Sequence, residues 1–133
     1  MQYMYCAVLT PIEDGSGYYA SVPDLPGCVT SGKDLHDAIE QITDAMSGWL
    51  CVAEDEKIEI NAPSDPRKVE HGEEDILTMI QTDTLKYRAM TDTRAVRKNV
   101  SIPAWMATLV EKYGINCSQV LQEALRERLQ MSM

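Results

Sequence analysis

No stretch of the chain approaches the roughly 18 consecutive apolar residues that a membrane helix requires. The opening residues, Met1 to Cys6, lack the basic segment and long apolar run of a secretory leader. Cysteine is sparse: Cys6, Cys28, Cys51 and Cys117 stand far apart, and none belongs to a Cys-x-x-Cys pair. Without a secretory context this spacing favours reduced thiols over disulfides, so the expected location is the cytoplasm, away from membranes. Histidine occurs only as His36 and His71, neither with a partner at ligand spacing, which leaves no metal site to expect. No Ser-His-Asp or Cys-His arrangement can be assembled from so little histidine. Gly15-Ser16-Gly17 is a turn, far short of a phosphate-cradling loop. Internal repeats are missing too. A composition 44% hydrophobic and 25% charged excludes collagen-like, low-complexity and disordered chains. The expectation is a globular protein without cofactor, metal or catalytic residues.

What is present is charge, unevenly spread. The 133 residues allow one domain or two small ones, with a net charge of -9. Residues 1–93 hold 6 Lys and Arg against 18 Asp and Glu, whereas residues 94–133 hold 6 against 3. An acidic body and a basic tail invite two different partners. Exposed charges more than roughly 8 Å apart are largely screened at physiological salt, so the body does not bar the tail from phosphate.

Tyr3 to Thr10 reads as a largely buried strand ended by Pro11. Glu13 to Gly17 makes a turn into a second strand, Tyr18 to Val22. Pro23-Asp24-Leu25-Pro26-Gly27 is a rigid turn, and Cys28-Val29-Thr30 a short third strand running out at Ser31-Gly32. Asp34 is placed to cap a helix with Asp37 in the position of a capping box. Leu35, Ala38, Ile39, Ile42, Ala45, Met46, Trp49 and Leu50 form its apolar stripe, with Asp37, Glu40, Gln41 and Asp44 opposite. Glu54 to Asp75 is a polar surface excursion, and Ile76 to Ile80 a fourth strand. The expected fold class is α+β: a small β-β-β-α-β domain over residues 1–83, a linker over 84–93, and a separate module over 94–133.

In that module Arg94 to Ile102 alternates, with Val96, Val100 and Ile102 on one face and Arg97, Asn99 and Ser101 on the other. Pro103 opens a helix bearing Trp105, Met106, Leu109 and Val110, and Gly114 stops it. Asn116, with Gln119 three residues on, caps a second helix carrying Cys117, Val120, Leu121, Ala124, Leu125 and Leu129. A lone strand leaves its backbone donors and acceptors unpaired. Pairing with the same strand of a second chain is the simplest remedy, giving a homodimer with a two-stranded ribbon. Such a ribbon fits the DNA major groove, where Arg97 and Asn99 would read bases beside Ser101. Lys98 falls on the apolar parity, its ammonium reaching from the rim toward backbone phosphate. The second helix start, Asn116 to Ser118, would add donors to a phosphate.

Arg97 to Pro103 followed by Gly114 to Leu125 closely resembles the ribbon-helix-helix DNA-binding family. The run Tyr18 to Gly32, with Pro23-Asp24-Leu25-Pro26-Gly27-Cys28 at its centre and a helix ending in Trp49-Leu50, looks like HicB-type antitoxins over roughly residues 1–83. That resemblance implies a truncated ribonuclease-H-like domain that binds and inhibits a small basic HicA-type ribonuclease, the mRNA-cleaving toxin of a type II pair. It further implies a tail that represses its own operon by binding operator DNA; a higher oligomer, with dimers pairing further through the front domains, stays open. The acidic residues Asp24, Asp37, Glu40 and Asp44 are then the candidates for toxin contact. Two other readings stay open. A ribbon-helix-helix repressor with a ligand-sensing front domain would want an apolar pocket with convergent polar groups. A metal-dependent nuclease would use carboxylates such as Asp24, Asp34, Asp37 and Glu40. The ribonuclease-H family places an acid in its first strand, and Tyr3 to Thr10 contains none.

Overall fold

Four antiparallel strands form one sheet in the order β3-β2-β1-β4 in the computed structural model, which describes residues 1–131. Strand β1 spans Gln2–Pro11, β2 Tyr18–Ser21, β3 Val29–Gly32 and β4 Ile76–Asp83. Sequence neighbours β1, β2 and β3 pair as a meander, while β4 returns along the free side of β1 from Gln2 opposite Asp83 to Leu9 opposite Ile76. The β1–β2 turn closes through Ile12 and Gly17, and the second turn through Val22 N–H to the Cys28 carbonyl at 3.0 Å. Gly32 permits the sheet to pass beneath the helix that follows, because a Cβ there would collide with the Ala38 backbone.

That helix, α1, runs Leu35–Glu56. Asp34 accepts the Asp37 N–H at 2.8 Å, and Asp37 in turn accepts the Lys33 N–H at 2.9 Å. The cap forms as the sequence leads one to expect, and Lys57 ends the helix in a left-handed conformation. Asp34→Ala should therefore lower unfolding free energy by about 1 kcal/mol; a urea midpoint equal to the parent's would show the cap to be idle. Ala38, Ile42, Met46 and Leu50 recur every fourth residue and are all fully buried. They meet Tyr5, Ala7 and Leu9 of β1, Ala20 of β2, Val22, Leu25, Cys28 and Ile80. Alternation along β1 thus sends one set of side chains under α1. The four cysteines are free, with Cys6, Cys28 and Cys51 buried and Cys117 exposed.

The expected β-β-β-α-β order and the α+β class are both present. The segment expected as a linker is different. Thr84–Thr91 is a helix, α2, capped by Asp83, whose carboxylate accepts the Leu85 N–H at 3.0 Å. Arg88 bonds the Cys51 carbonyl at 3.0 Å and pairs with Glu54 and Asp55, fastening α2 to α1. Glu54 also accepts the Tyr3 hydroxyl at 2.8 Å and lies 3.0 Å from the buried Thr84 hydroxyl. Polar groups make this attachment, so no apolar period announces it. Glu54 to Glu56, expected in the surface excursion, close α1 instead. The remainder carries a short 3-10 helix, Pro66–Lys68.

The chain divides into two compact units, Met1–Thr93 and Arg94–Met133, the last two residues lying outside the described ones. In the second, α3 spans Ala104–Lys112 and α4 Cys117–Met131. Gly114 at φ +64° lets its own N–H reach the Glu111 carbonyl and the Ile115 N–H reach Val110, a paired C-terminal closure. Asn116 accepts the Gln119 N–H at 3.1 Å. Arg94 to Ile102, expected as a strand, has no regular structure in the single chain. A strand exists only where a neighbour takes its backbone bonds, and one copy offers none here.

Candidate functional site

The four acidic residues singled out from sequence fare differently. Asp24 sits in the Pro23–Gly27 turn, and its carboxylate accepts the Ser64 N–H at 2.8 Å and hydroxyl at 2.5 Å. Its backbone carbonyl takes the Asn61 side-chain amide at 2.8 Å, so Asp24 pins the surface excursion to the turn. Asp37 is engaged in capping, and the Lys33 N–H followed by the Gln41 amide holds its carboxyl below the usual carboxylate range. Glu40 and Asp44 lie one turn apart on the exposed face of α1. Glu40 pairs with His36 at 3.0 Å. Asp44 accepts the Tyr87 hydroxyl of α2 at 3.2 Å. The helix thus brings Glu40 and Asp44 together as exposed acids, whereas Asp24 and Asp37 serve the fold.

Sequence reading missed what Asp44 borders. Where α1, the turn before β3 and α2 meet, a cleft of about 580 Å³ opens, lined by Pro26, Asp44, Gly48, Trp49, Val52 and Tyr87 among others. Trp49 donates its indole N–H to the Pro26 carbonyl at 3.0 Å, which fixes the ring against the turn. Burial, then the neighbouring Asp44 carboxylate, pushes the Tyr87 phenol up from its ordinary pKa. Tyr87 falls in the segment expected as a linker, and Trp49 in the apolar stripe of α1. Only the packing of α2 on α1 discloses that they flank one recess.

In the second unit no described residue is buried. Arg97, Lys98, Asn99 and Ser101 stand exposed between the end of α2 and Pro103, while Asn116 and Ser118 open α4. Val96, Val100 and Ile102 on the other parity are 83%, 60% and 45% exposed. Trp105, Leu109, Val120, Leu125 and Leu129 of the two helices are exposed as well. An apolar face of this extent is a surface for a partner rather than for water. Among the described residues, no group of three or more His, Cys, Asp or Glu side chains is placed to hold a metal ion. Nor is any described helix long and apolar enough to cross a membrane.

These features define a two-unit α+β protein, acidic in front and basic behind, whose conspicuous elements are surfaces. The chain belongs to the family of the HicB-like antitoxin of bacterial toxin-antitoxin system, whose model matches residues 5–124 and so reaches into both units. It is 39% identical over 46 residues to a UPF0150 protein of Thermoplasma acidophilum, covering 35% of this chain and 65% of that one. It is 42% identical over 38 residues to a UPF0150 protein of Helicobacter pylori, covering 29% and 53%. The chain thus matches between about half and two thirds of the length of these curated relatives. Among solved structures it resembles a chain of a toxin–antitoxin complex from Streptococcus pneumoniae, at 20% identity and TM-score 0.60, over 96% of this chain and 99% of that one. The antitoxin HicB of Burkholderia pseudomallei is similar at 24% identity and TM-score 0.52, over 96% and 98%. At such identities the likeness is one of fold: a four-stranded antiparallel sheet with four helices.

Proposed function

We propose that this chain is the antitoxin of a type II toxin–antitoxin pair and the repressor of its own operon. In this reading the first unit, a truncated ribonuclease-H-like sheet and helix with α2 attached, binds a HicA-type mRNA-cleaving ribonuclease and inhibits it in the cytoplasm. Inhibition requires no chemistry from the antitoxin; covering the toxin's active site or its RNA-binding surface is enough. Membership of the antitoxin family supports the toxin partner. The carboxylates of Glu40 and Asp44 suit a basic protein, whose approach they would steer.

The observation that carries the second half is the bare apolar face of residues 94–130. One alternating segment and two short helices contain no buried described residue, yet each carries an apolar face, broken in the segment only by Lys98. A second copy supplies both missing items: a strand for Arg94 to Ile102, and helices to cover Val96, Val100 and Ile102. The resulting ribbon-helix-helix dimer turns Arg97, Asn99 and Ser101 outward from both chains, a plate of the size of a major groove. Lys98 at the rim and the α4 start at Asn116 and Ser118 meet the phosphate backbone.

Two measurements test the proposal. Expressed with the HicA-type toxin that this proposal places beside its gene, the full chain should purify as a complex; a toxin recovered free of it would remove the partner. In mobility-shift titrations on the DNA upstream of the gene, Arg97→Ala should cost about 1–3 kcal/mol and relax preference at one base pair per half-site. Lys98→Ala should weaken all sequences alike and reduce the dimer's salt slope by about 2, one for each copy. Operator affinity unchanged in Arg97→Ala would show that the ribbon face is not the reader.

A further inference from the structure

The cleft flanked by Trp49 and Tyr87 has the chemistry of a seat for one particular side chain. Two aromatic residues, a carboxylate and apolar walls face a common space. Asp44 shares one oxygen with the Tyr87 hydroxyl at 3.2 Å, which fixes the carboxylate beside the phenol. Around the recess lie exposed apolar residues, Val29 at 67% and Val52 at 51%. Gly48 also lines it, in the interior of a 22-residue helix, where glycine is disfavoured. Packing does not demand it: a Cβ at Gly48 would meet the Tyr87 hydroxyl at 3.6 Å, an ordinary contact. The missing methyl deepens the cleft. A planar cation stacks on aromatic faces and bonds a carboxylate through two nitrogens, and arginine is enriched at interface centres for these reasons.

We infer that this cleft receives an arginine side chain of a basic protein partner, anchoring it by stacking between Trp49 and Tyr87 and by an ion pair to Asp44. The unit around it carries 18 acidic residues against 6 basic ones, so a cationic occupant is the one its field draws in. The identity of that partner as the ribonuclease rests on the function proposed above; the cleft's preference for guanidinium does not.

The test separates the two. With the full chain, N-acetyl-arginine methylamide at millimolar concentration should shift the indole N–H resonance of Trp49, identified beside Trp105 by a Trp105→Phe variant. The uncharged citrulline analogue should leave it in place, and Asp44→Asn should abolish the arginine response. Equal shifts with both compounds, or none with either, overturn the proposal. Against the co-encoded toxin, Asp44→Asn should weaken binding about tenfold or more. Gly48→Ala should raise Tm by about 4–8 °C, as a glycine replaced in a helix does, and still bind the toxin more weakly. This opposition of stability and affinity is one that damage to the fold cannot mimic. Parent and variants binding the toxin equally well overturn the cleft while sparing the antitoxin reading. A parent that ignores the toxin but seats the arginine compound contradicts that reading and supports the cleft. A change of oligomeric state in Asp44→Asn at unaltered toxin affinity would assign the cleft to a second copy of the chain and overturn the proposal.

Discussion

Val100→Asp combined with Ile102→Asp should leave the chain monomeric, with the second unit unfolded and operator binding lost. Both side chains occupy the apolar parity of the Arg94 to Ile102 segment, and in one copy both are exposed. On dimerisation each would be buried against the helices, a gain of about 1.5–3 kcal/mol per side chain. A carboxylate in the same place must be desolvated without a partner, at a cost several times larger. Because the monomeric unit has no buried residue of its own, loss of the dimer and loss of its fold are one event. Sedimentation velocity gives the reading: the parent a dimer at micromolar concentration, the variant a monomer. A dimeric variant that still shifts operator DNA would refute the ribbon.

Leu50→Ala should destabilise the first unit by about 2–5 kcal/mol, enough to threaten a domain of this size. Leu50 is fully buried in the α1 row that faces β1, and the sheet beneath it cannot close the gap without moving its neighbours. The expected readout is a lower urea midpoint for the first transition together with weakened toxin inhibition. Glu56→Ala, on the same helix, exposed and outside the cleft lining, is the control and should change stability little. Equal effects at the two positions would mean that the α1 face has been assigned wrongly.

The sheet, α1 and the two helices of the second unit were legible because each writes a period into the sequence. Ala38, Ile42, Met46 and Leu50 repeat at helical spacing, and Tyr5, Ala7 and Leu9 alternate in β1. Asp34, Gly114 and Asn116 punctuate them through hydrogen bonds that their residue types foretell. Helix α2 left no such mark. Its attachment runs through Thr84, Arg88 and Glu54, which count as polar in any periodicity. Missing α2 meant missing the cleft, since Tyr87 forms one wall and reaches Asp44 across 43 positions of chain. The acidic set was only partly informative for a similar reason: composition cannot tell Asp24, spent on Ser64, from Glu40 and Asp44, which face outward. The alternating segment before Pro103 shows the opposite case, a strand pattern that takes no regular structure in the single chain.

In the function proposed above, this chain neutralises a ribonuclease through its acidic first unit. The most direct test is RNA cleavage by the co-encoded toxin, titrated with the purified full-length protein. Cleavage should stop near equimolar protein, for the parent and for the Val100→Asp, Ile102→Asp variant alike, because those substitutions lie in the other unit. Cleavage that continues in molar excess of the folded parent would contradict the account.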